Sequence, residues 1–196
     1  MNLVLASASS ARRLILENAG LSFEVVPAEI DERAAEKPLL KAGATPDDIA
    51  TALAMVKAST VSEARSDALV IGADQVLDLG GERLTKPADM ETARRQLLKL
   101  SGKTHLLHSA VACARGGAII WQHVEAAALT MRKLDPAFIG RYLAAVGDNA
   151  LKSVGVYQLE NRGIQLFEKV DGDYFAILGL PLLPLLAFLR SEGIVE

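Results

Sequence analysis

Residues 3–16 read LVLASASSARRLIL, a short apolar strand followed by a loop of small side chains and the start of a helix. Such a loop can bind an anion, because backbone N–H groups at a helix N-terminus and arginine side chains both donate to phosphate oxygens. A plainer interpretation is a strand-to-helix turn, in which Ser9 or Ser10 caps the helix and Arg12 and Arg13 face solvent. The stretch predicts a strand–helix unit, and the rest of the chain has to decide between the two interpretations.

The same alternation of apolar strands and helical patterns continues along the chain and predicts an α/β fold. We expect a hairpin turning at Gly80–Gly81 and two long strands around Gly116–Gly117. Three helices are predicted to begin after a capping residue, at Thr45, Asp89 and Asp135. The pattern indicates a mixed curved sheet with flanking helices, in two lobes around a cleft.

Three further segments complete the prediction. Residues 23–33 are expected to form a strand followed by an acidic loop, and residues 163–178 to form two strands around Asp171–Gly172. Residues 181–193 read as a buried C-terminal helix with proline in its first turn. No linker divides the chain, so we expect a single domain over residues 1–196.

Composition excludes several classes of protein. The chain of 196 residues has a formal net charge of −3 and a pI near 5.7, which argues against a nucleic-acid-binding protein. We expect no membrane association, because no apolar stretch reaches the roughly 20 residues that span a bilayer. Cys113 is the only cysteine, which excludes an internal disulfide and favours a cytoplasmic protein.

Several polar residues are poorly explained by a fold alone. Asp74 interrupts an apolar strand, and a buried carboxylate usually meets a cation or N–H donors, although it can also cap a bend. Gly72, just upstream, allows a close approach to the backbone. The carboxylates of residues 29–32 suit Mg²⁺ or Mn²⁺, but clustered acids in a loop are usually just solvated. Lys57 and Lys86 are expected to be ordinary surface lysines unless the protein binds an anion that they contact.

Two other segments leave alternatives open. Residues 153–163, SVGVYQLENRG, form either a connecting loop or a rim that contacts a nucleobase. His105 and His108 fall on opposite faces of a strand, which does not favour a shared metal ion, and each is interpreted as either structural or exposed.

Taken in order, these segments resemble the Maf family of nucleoside triphosphate pyrophosphatases. The resemblance runs from ASASSARR through EIDER, GADQV and LLKLSGKTH to SVGVYQLENRG and GDYFAILGLPL. It implies a fold like that of the inosine triphosphate pyrophosphatases, a divalent cation (Mg²⁺ or Mn²⁺) as cofactor and frequent homodimers. It also implies hydrolysis of a nucleoside triphosphate substrate to the monophosphate and pyrophosphate.

The resemblance further assigns roles to individual residues. Asp74 is implied to accept the proton of the attacking water, and Glu32 to bind the cation together with Asp74. Further catalytic roles are implied for Lys57 and Lys86, and phosphate-binding roles for Ser7, Arg12 and Arg13. Ser10 stands where the family usually has proline, which implies a less preorganised loop.

Base specificity in the family depends on three positions, which here hold Ala11, Gln75 and Glu160. Gln75 and Glu160 resemble the subgroup that hydrolyses 7-methyl-GTP, and a carboxylate suits the N–H donors of guanine. Ala11 provides no aromatic ring to stack on a methylated base. Two alternatives stay open, a dTTP/UTP pyrophosphatase and a nucleotide-binding regulator of septum formation without significant turnover.

Overall fold

The computed structural model describes residues 2–196. Its strands are β1 (Asn2–Leu5), β2 (Glu24–Val25), β3 (Ala68–Leu79), β4 (Glu82–Leu84), β5 (Thr104–Arg115), β6 (Ala118–Met131) and β7 (Phe167–Asp171). Its α-helices are α1 (Ser10–Asn18), α2 (Glu32–Lys41), α3 (Pro46–Ala64), α4 (Met90–Leu100), α5 (Pro136–Val146), α6 (Tyr174–Ile177) and α7 (Leu182–Ser191). Two 3₁₀ helices cover Gly147–Leu151 and Arg162–Leu166.

The sheet is mixed, as predicted. Its strand order is β2-β1-β3-β5-β6-β7, and β4 pairs with β3. Strand β1 runs parallel to β2 and β3, whereas β4 is antiparallel to β3 and β7 is antiparallel to β6. Parallel strands next to one another need a helical connection, which α1 and α3 supply. The α/β prediction is therefore confirmed.

The chain divides into two compact units. The first contains the chain up to Gln75 together with Ser109–Glu125 and Asp173–Glu196, and the second contains Val76–His108 and Ala126–Gly172. The single domain predicted over residues 1–196 stays a prediction. Over residues 2–196, the structure has no helix of the length and apolarity that a membrane crossing requires.

In the first unit, strand β1 is covered on both faces. Leu3 and Leu5 belong to a cluster that includes apolar residues of α1 and α7, and Val4 belongs to a second cluster with Val61 of α3. Burial on both faces is typical of parallel strands, which then read as continuous apolar runs. Cys113 lies in the first of these clusters and is fully buried, so it is a core residue.

In the second unit, a neutral polar pair is buried among aromatic rings. His105 Nε2 lies 2.7 Å from the hydroxyl of Tyr157, and both rings contact Phe167. Burial lowers the pKa of His105 to about 4 and raises that of Tyr157. Both groups are therefore neutral near pH 7. His108 is also buried, so both histidines lie in the interior.

The predicted helix starts are confirmed. Each start has a local hydrogen bond from the backbone to a capping side chain. The side chain of Thr45 accepts from Asp48 N and the carboxylate of Asp48 accepts from Thr45 N, which is a complete capping box. Asp89 caps α4 by accepting from Thr92 N, and Asp135 caps α5 by accepting from Phe138 N. Ser9 caps α1, so the first of the two predicted caps is the one used.

The first of the two strands predicted over residues 163–178 is shorter than expected, since residues 163–166 belong to the second 3₁₀ helix. Two other predictions were wrong. The segment after Asp171–Gly172 forms helix α6 instead of a strand, because Asp173 accepts a hydrogen bond from Ala176 N and starts a helical turn. The predicted acidic loop ends at Asp31, which caps α2 by accepting from Ala34 N. Glu32 is therefore the first residue of a helix. Both errors arose because an aspartate that caps a helix was read as part of a turn or loop.

Candidate active site

Asp74 lies in strand β3, where its side chain is buried. Its exposure is 7%, and its Oδ1 accepts a hydrogen bond of 2.6 Å from Lys57 Nζ. Lys57 comes from α3 and is itself only 8% exposed. Lys57 therefore belongs to a buried ion pair and is not an ordinary surface lysine.

Gly72 explains how the helix reaches the strand. A Cβ atom at this position would lie 2.3 Å from the carbonyl oxygen of Ala54 and 2.6 Å from the backbone nitrogen of Ala58, both in α3. Real Cβ atoms do not approach backbone atoms so closely. The sequence predicted a close approach at Gly72, and the partner is the helix that carries Lys57.

Glu32 is the second carboxylate of the cluster. Its Oε1 lies 2.7 Å from Lys57 Nζ, so the ammonium group lies between Glu32 and Asp74. Glu32 is half exposed, unlike Asp74. No group of three or more His, Cys, Asp and Glu side chains able to hold a metal ion occurs in residues 2–196. Two neighbouring carboxylates nevertheless fit Mg²⁺ or Mn²⁺, which usually take their other ligands from water and phosphate.

The electrostatic setting of Asp74 suits a proton acceptor. Burial raises the pKa of its carboxyl group, while the charges of Lys57 and Arg12 act in the opposite direction. A raised pKa brings a carboxylate closer to the range in which a general base works at neutral pH. Lys57 bonds to Oδ1.

Arg12 is buried, although the sequence also allowed it to face solvent. Its Nε donates to the carbonyl of Gly179 at 2.8 Å, and its Nη1 donates to the carbonyl of Ala73 at 2.8 Å and to Ser7 Oγ at 3.1 Å. Burial lowers the pKa of Arg12, but Asp74 and Glu32 oppose this effect. Arg12 therefore connects the first loop with the backbone next to Asp74.

Ser7 is held so that its hydroxyl can donate. Its Oγ accepts hydrogen bonds from Arg12 Nη1 and, at 3.3 Å, from the backbone nitrogen of Ser9. A hydroxyl has two acceptor lone pairs and one proton. Because both lone pairs are engaged, the proton is left for an acceptor such as a phosphate oxygen.

The residues next to Arg12 in helix α1 differ from it in how far they are buried. Arg13 is exposed and forms an ion pair of 2.7 Å with Glu17, one turn further along α1. Ala11 is partly buried on the same helix, and Ser10 is its first residue, a position that proline favours. The structure brings Ser7, Arg12, Glu32, Lys57 and Asp74 into one connected cluster, and Arg13 lies outside it.

A family model and relatives with similar sequences show the family of this chain. A model of the family described as Maf-like protein matches residues 2–192. The chain belongs to this family. A protein from Mesorhizobium japonicum named 7-methyl-GTP pyrophosphatase is 59% identical over 194 residues, which is 99% of this chain and 98% of the other. A Granulibacter bethesdensis protein named nucleoside triphosphate pyrophosphatase is 50% identical over 98% of both chains. A solved HAM1 protein from Coxiella burnetii is 14% identical, covers 67% of this chain and 73% of that chain, and has a TM-score of 0.43.

Two predicted residues of this Maf-like chain belong to the second unit. Lys86 and Glu160 are both exposed there, Lys86 just after β4 and Glu160 in the segment before the second 3₁₀ helix. Their roles stay predictions. Gln75 is in the first unit, directly after Asp74, and is partly buried.

Sequence reasoning missed the partners of the Maf-like site. The partners of Arg12 include the backbone carbonyls of Ala73 and Gly179. Residue types in the sequence do not indicate which backbone carbonyls will accept a hydrogen bond. Ser109, which contacts Gln75, had a detectable signal: it is a hydroxyl in a strand that otherwise reads as core.

Proposed function

We propose that this protein hydrolyses a nucleoside triphosphate to the monophosphate and pyrophosphate. The observation that carries the proposal is the buried Asp74 carboxylate, paired with Lys57 and placed one residue from a carbonyl that Arg12 holds. A charged cluster of this kind is costly to bury, and such clusters are common where chemistry needs them. The names of the relatives in the Maf-like family support the same reaction.

Each residue of the cluster has its own role in the proposed hydrolysis. Water attacks the α-phosphorus, Asp74 takes its proton, and the bond to the bridging oxygen breaks to release pyrophosphate. Ser7 donates to a phosphate oxygen, and Lys57 offsets negative charge beside it. Arg12 contributes positive charge while it keeps Ser7 in place. Lys86 and Arg13 are proposed as further phosphate ligands.

Glu32 and Asp74 are the residues that would hold a divalent cation. When bound, Mg²⁺ or Mn²⁺ neutralises phosphate charge and orients the triphosphate. The cation requirement is tested by assaying the protein after chelation and after readdition of each metal. Full activity in excess chelator would overturn it.

We propose 7-methyl-GTP as the type of substrate. Relatives with this printed name include the Mesorhizobium japonicum protein, and Glu160 is an exposed acceptor suited to guanine N–H groups. Gln75 and Ala11 are the other two proposed specificity positions. A dTTP/UTP pyrophosphatase and a nucleotide-binding regulator without turnover are outcomes that the experiments below would reveal.

The first experiment identifies the products. The purified protein is incubated with a panel of standard and modified nucleoside triphosphates, and pyrophosphate, orthophosphate and nucleotide are each quantified. Equal amounts of pyrophosphate and monophosphate are expected. Orthophosphate with the diphosphate would overturn the reaction, and binding without turnover would favour the regulator.

A second experiment tests the base. Replacing Glu160 by glutamine keeps one acceptor but removes the charge, which is worth about 1.5–3 kcal/mol in a hydrogen bond. We expect the ratio of kcat/KM for 7-methyl-GTP over UTP to fall by about tenfold or more. An unchanged ratio would remove Glu160 from base recognition.

Two further proposals concern the cellular location and the oligomeric state of the protein. A cytoplasmic location agrees with a single, buried cysteine that has no partner for a disulfide. Compartment fractionation tests it. A homodimer, implied by resemblance to the family, is tested by sedimentation analysis of the full chain.

A further inference from the structure

Gln75 is held in place through the nitrogen of its amide. Its Nε2 lies 2.8 Å from Ser109 Oγ, 3.2 Å from the carbonyl oxygen of Ala176 and 3.0 Å from that of Ile177. All of these residues belong to the first unit. Three oxygen atoms therefore surround one end of the Gln75 amide.

The hydroxyl of Ser109 determines which end that is. Ser109 is fully buried, and its Oγ donates to the carbonyl of Ala176 at 2.7 Å. A serine hydroxyl has a single proton, so toward Gln75 it can only accept. A reversed amide would place its oxygen against three acceptors, and buried polar groups that are opposed or left without a partner are costly. The amide nitrogen must face inward.

The other end of the amide is then an acceptor. Within the part of the chain that the structure describes, Gln75 Oε1 has no hydrogen-bond partner. Gln75 is only partly buried, so this oxygen is open to a ligand. It is carried by the residue that follows Asp74, the proposed proton acceptor.

We propose that Ser109 is a positioning residue that holds Gln75 as a hydrogen-bond acceptor for an N–H group of the substrate. The proposal rests on the proposed function. A guanine base offers N–H groups at N1 and N2, which such an acceptor can bind, whereas a base that presents only a carbonyl there meets oxygen against oxygen. Ser109 thus contributes to substrate selection without touching the substrate.

A double-mutant cycle tests this role. Gln75→Met removes the amide at similar size, and we expect kcat/KM for 7-methyl-GTP to fall about tenfold, equivalent to 1.4 kcal/mol. Ser109→Ala alone should lower it about threefold, because the amide loses its side-chain acceptor. In the Gln75→Met background, Ser109→Ala should have almost no further effect, roughly 1.5-fold or less. Equal losses in both backgrounds would overturn the proposal.

Two variants separate positioning from stability. Ser62 is also a fully buried serine of the first unit, and its Oγ accepts from Gly117 N. Ser62→Ala should lower the melting temperature but leave kcat/KM unchanged. Ser109→Thr keeps the hydroxyl and should restore most of the kcat/KM lost in Ser109→Ala. Failure of threonine in a well-folded variant would count against the role of the hydroxyl.

A measurement without turnover tests the same contact. The two Gln75 side-chain N–H protons should exchange with water more slowly than those of the exposed Gln122, and Ser109→Ala should accelerate their exchange several-fold. Exchange of Gln75 as fast as that of an exposed glutamine in the wild type would overturn the proposal. A wild type that releases no pyrophosphate from any nucleotide would overturn the proposed function, whereas an active wild type with additive variants would overturn the role of Ser109 alone.

Discussion

Both units bury polar side chains, but they do so in opposite ways. The first unit buries charges, with Lys57 between two carboxylates and Arg12 bonded to backbone carbonyls. The second unit buries the neutral pair His105–Tyr157 among aromatic rings. Burying a neutral pair that shares a hydrogen bond costs less than burying charges, which remain costly even when paired. The comparison suggests that the charged cluster serves chemistry and the neutral pair serves packing.

The largest expected effect comes from removing the charge of Asp74. Asp74→Asn keeps the shape but cannot accept a proton, so we expect kcat to fall by about 10² to 10⁴ while nucleotide binding survives. Steady-state kinetics and calorimetric binding measure the two effects. Activity within about threefold of the wild type would remove Asp74 as the base.

The same residue predicts a pH dependence. Protonated Asp74 cannot act as a base, so kcat/KM should decline as the pH falls through its pKa. Burial raises that pKa above the ordinary value of about 3.9, which moves the decline to higher pH than a solvated aspartate would give. A profile that stays flat down to about pH 4 would contradict the raised pKa.

A second change breaks the charged cluster without altering any charge. Gly72→Ala forces α3 away from β3, because the added Cβ meets helix backbone that cannot rotate aside. We expect a loss of about 3 kcal/mol in the free energy of unfolding, together with lower activity as Lys57 moves from Asp74. Denaturant unfolding measures it. Gly140→Ala in α5 is the contrasting variant, since the glycine has no positive φ and an added Cβ would lie 3.7 Å from Arg94 Nη1, an ordinary contact.

A third test compares two adjacent arginines. Arg12→Met leaves two backbone carbonyls without their donor, so we expect a loss of about 2–3 kcal/mol in unfolding free energy as well as reduced activity. Arg13→Met removes only an exposed ion pair and should change stability by less than about 0.5 kcal/mol. Equal effects of the two substitutions on stability would show that Arg12 is not held as described.

The smallest effect concerns the neutral pair. Because His105 has a pKa of about 4 when folded, the unfolded chain binds its proton first as the pH falls below about 6.5. Stability should therefore decrease on acidification through this window, by about 1 kcal/mol between pH 6 and pH 5. His105→Gln should lose less stability over the same interval. An identical pH dependence in both proteins would contradict a neutral, buried His105.

The sequence alone determined the features that depend on neighbouring residues. Helix starts at Thr45, Asp89 and Asp135 were predicted because a cap reaches only three residues along the chain. The Gly80–Gly81 hairpin was predicted for the same reason. Family motifs also identified Asp74, Lys57 and Glu32, which the structure brings together.

Only the tertiary structure decided which polar groups meet and in which direction each hydrogen bond runs. Arg12 and Arg13 are the same residue type in the same motif, yet only Arg12 is buried. The backbone carbonyls to which it donates lie 61 and 167 residues away along the chain. Gln75 is oriented by Ser109, 34 residues along the chain, and by two backbone carbonyls. Backbone carbonyls are identical in every residue, so no sequence pattern marks the ones that a buried side chain will use. Their positions follow from the packing of strands and helices, which is settled only when the whole unit folds.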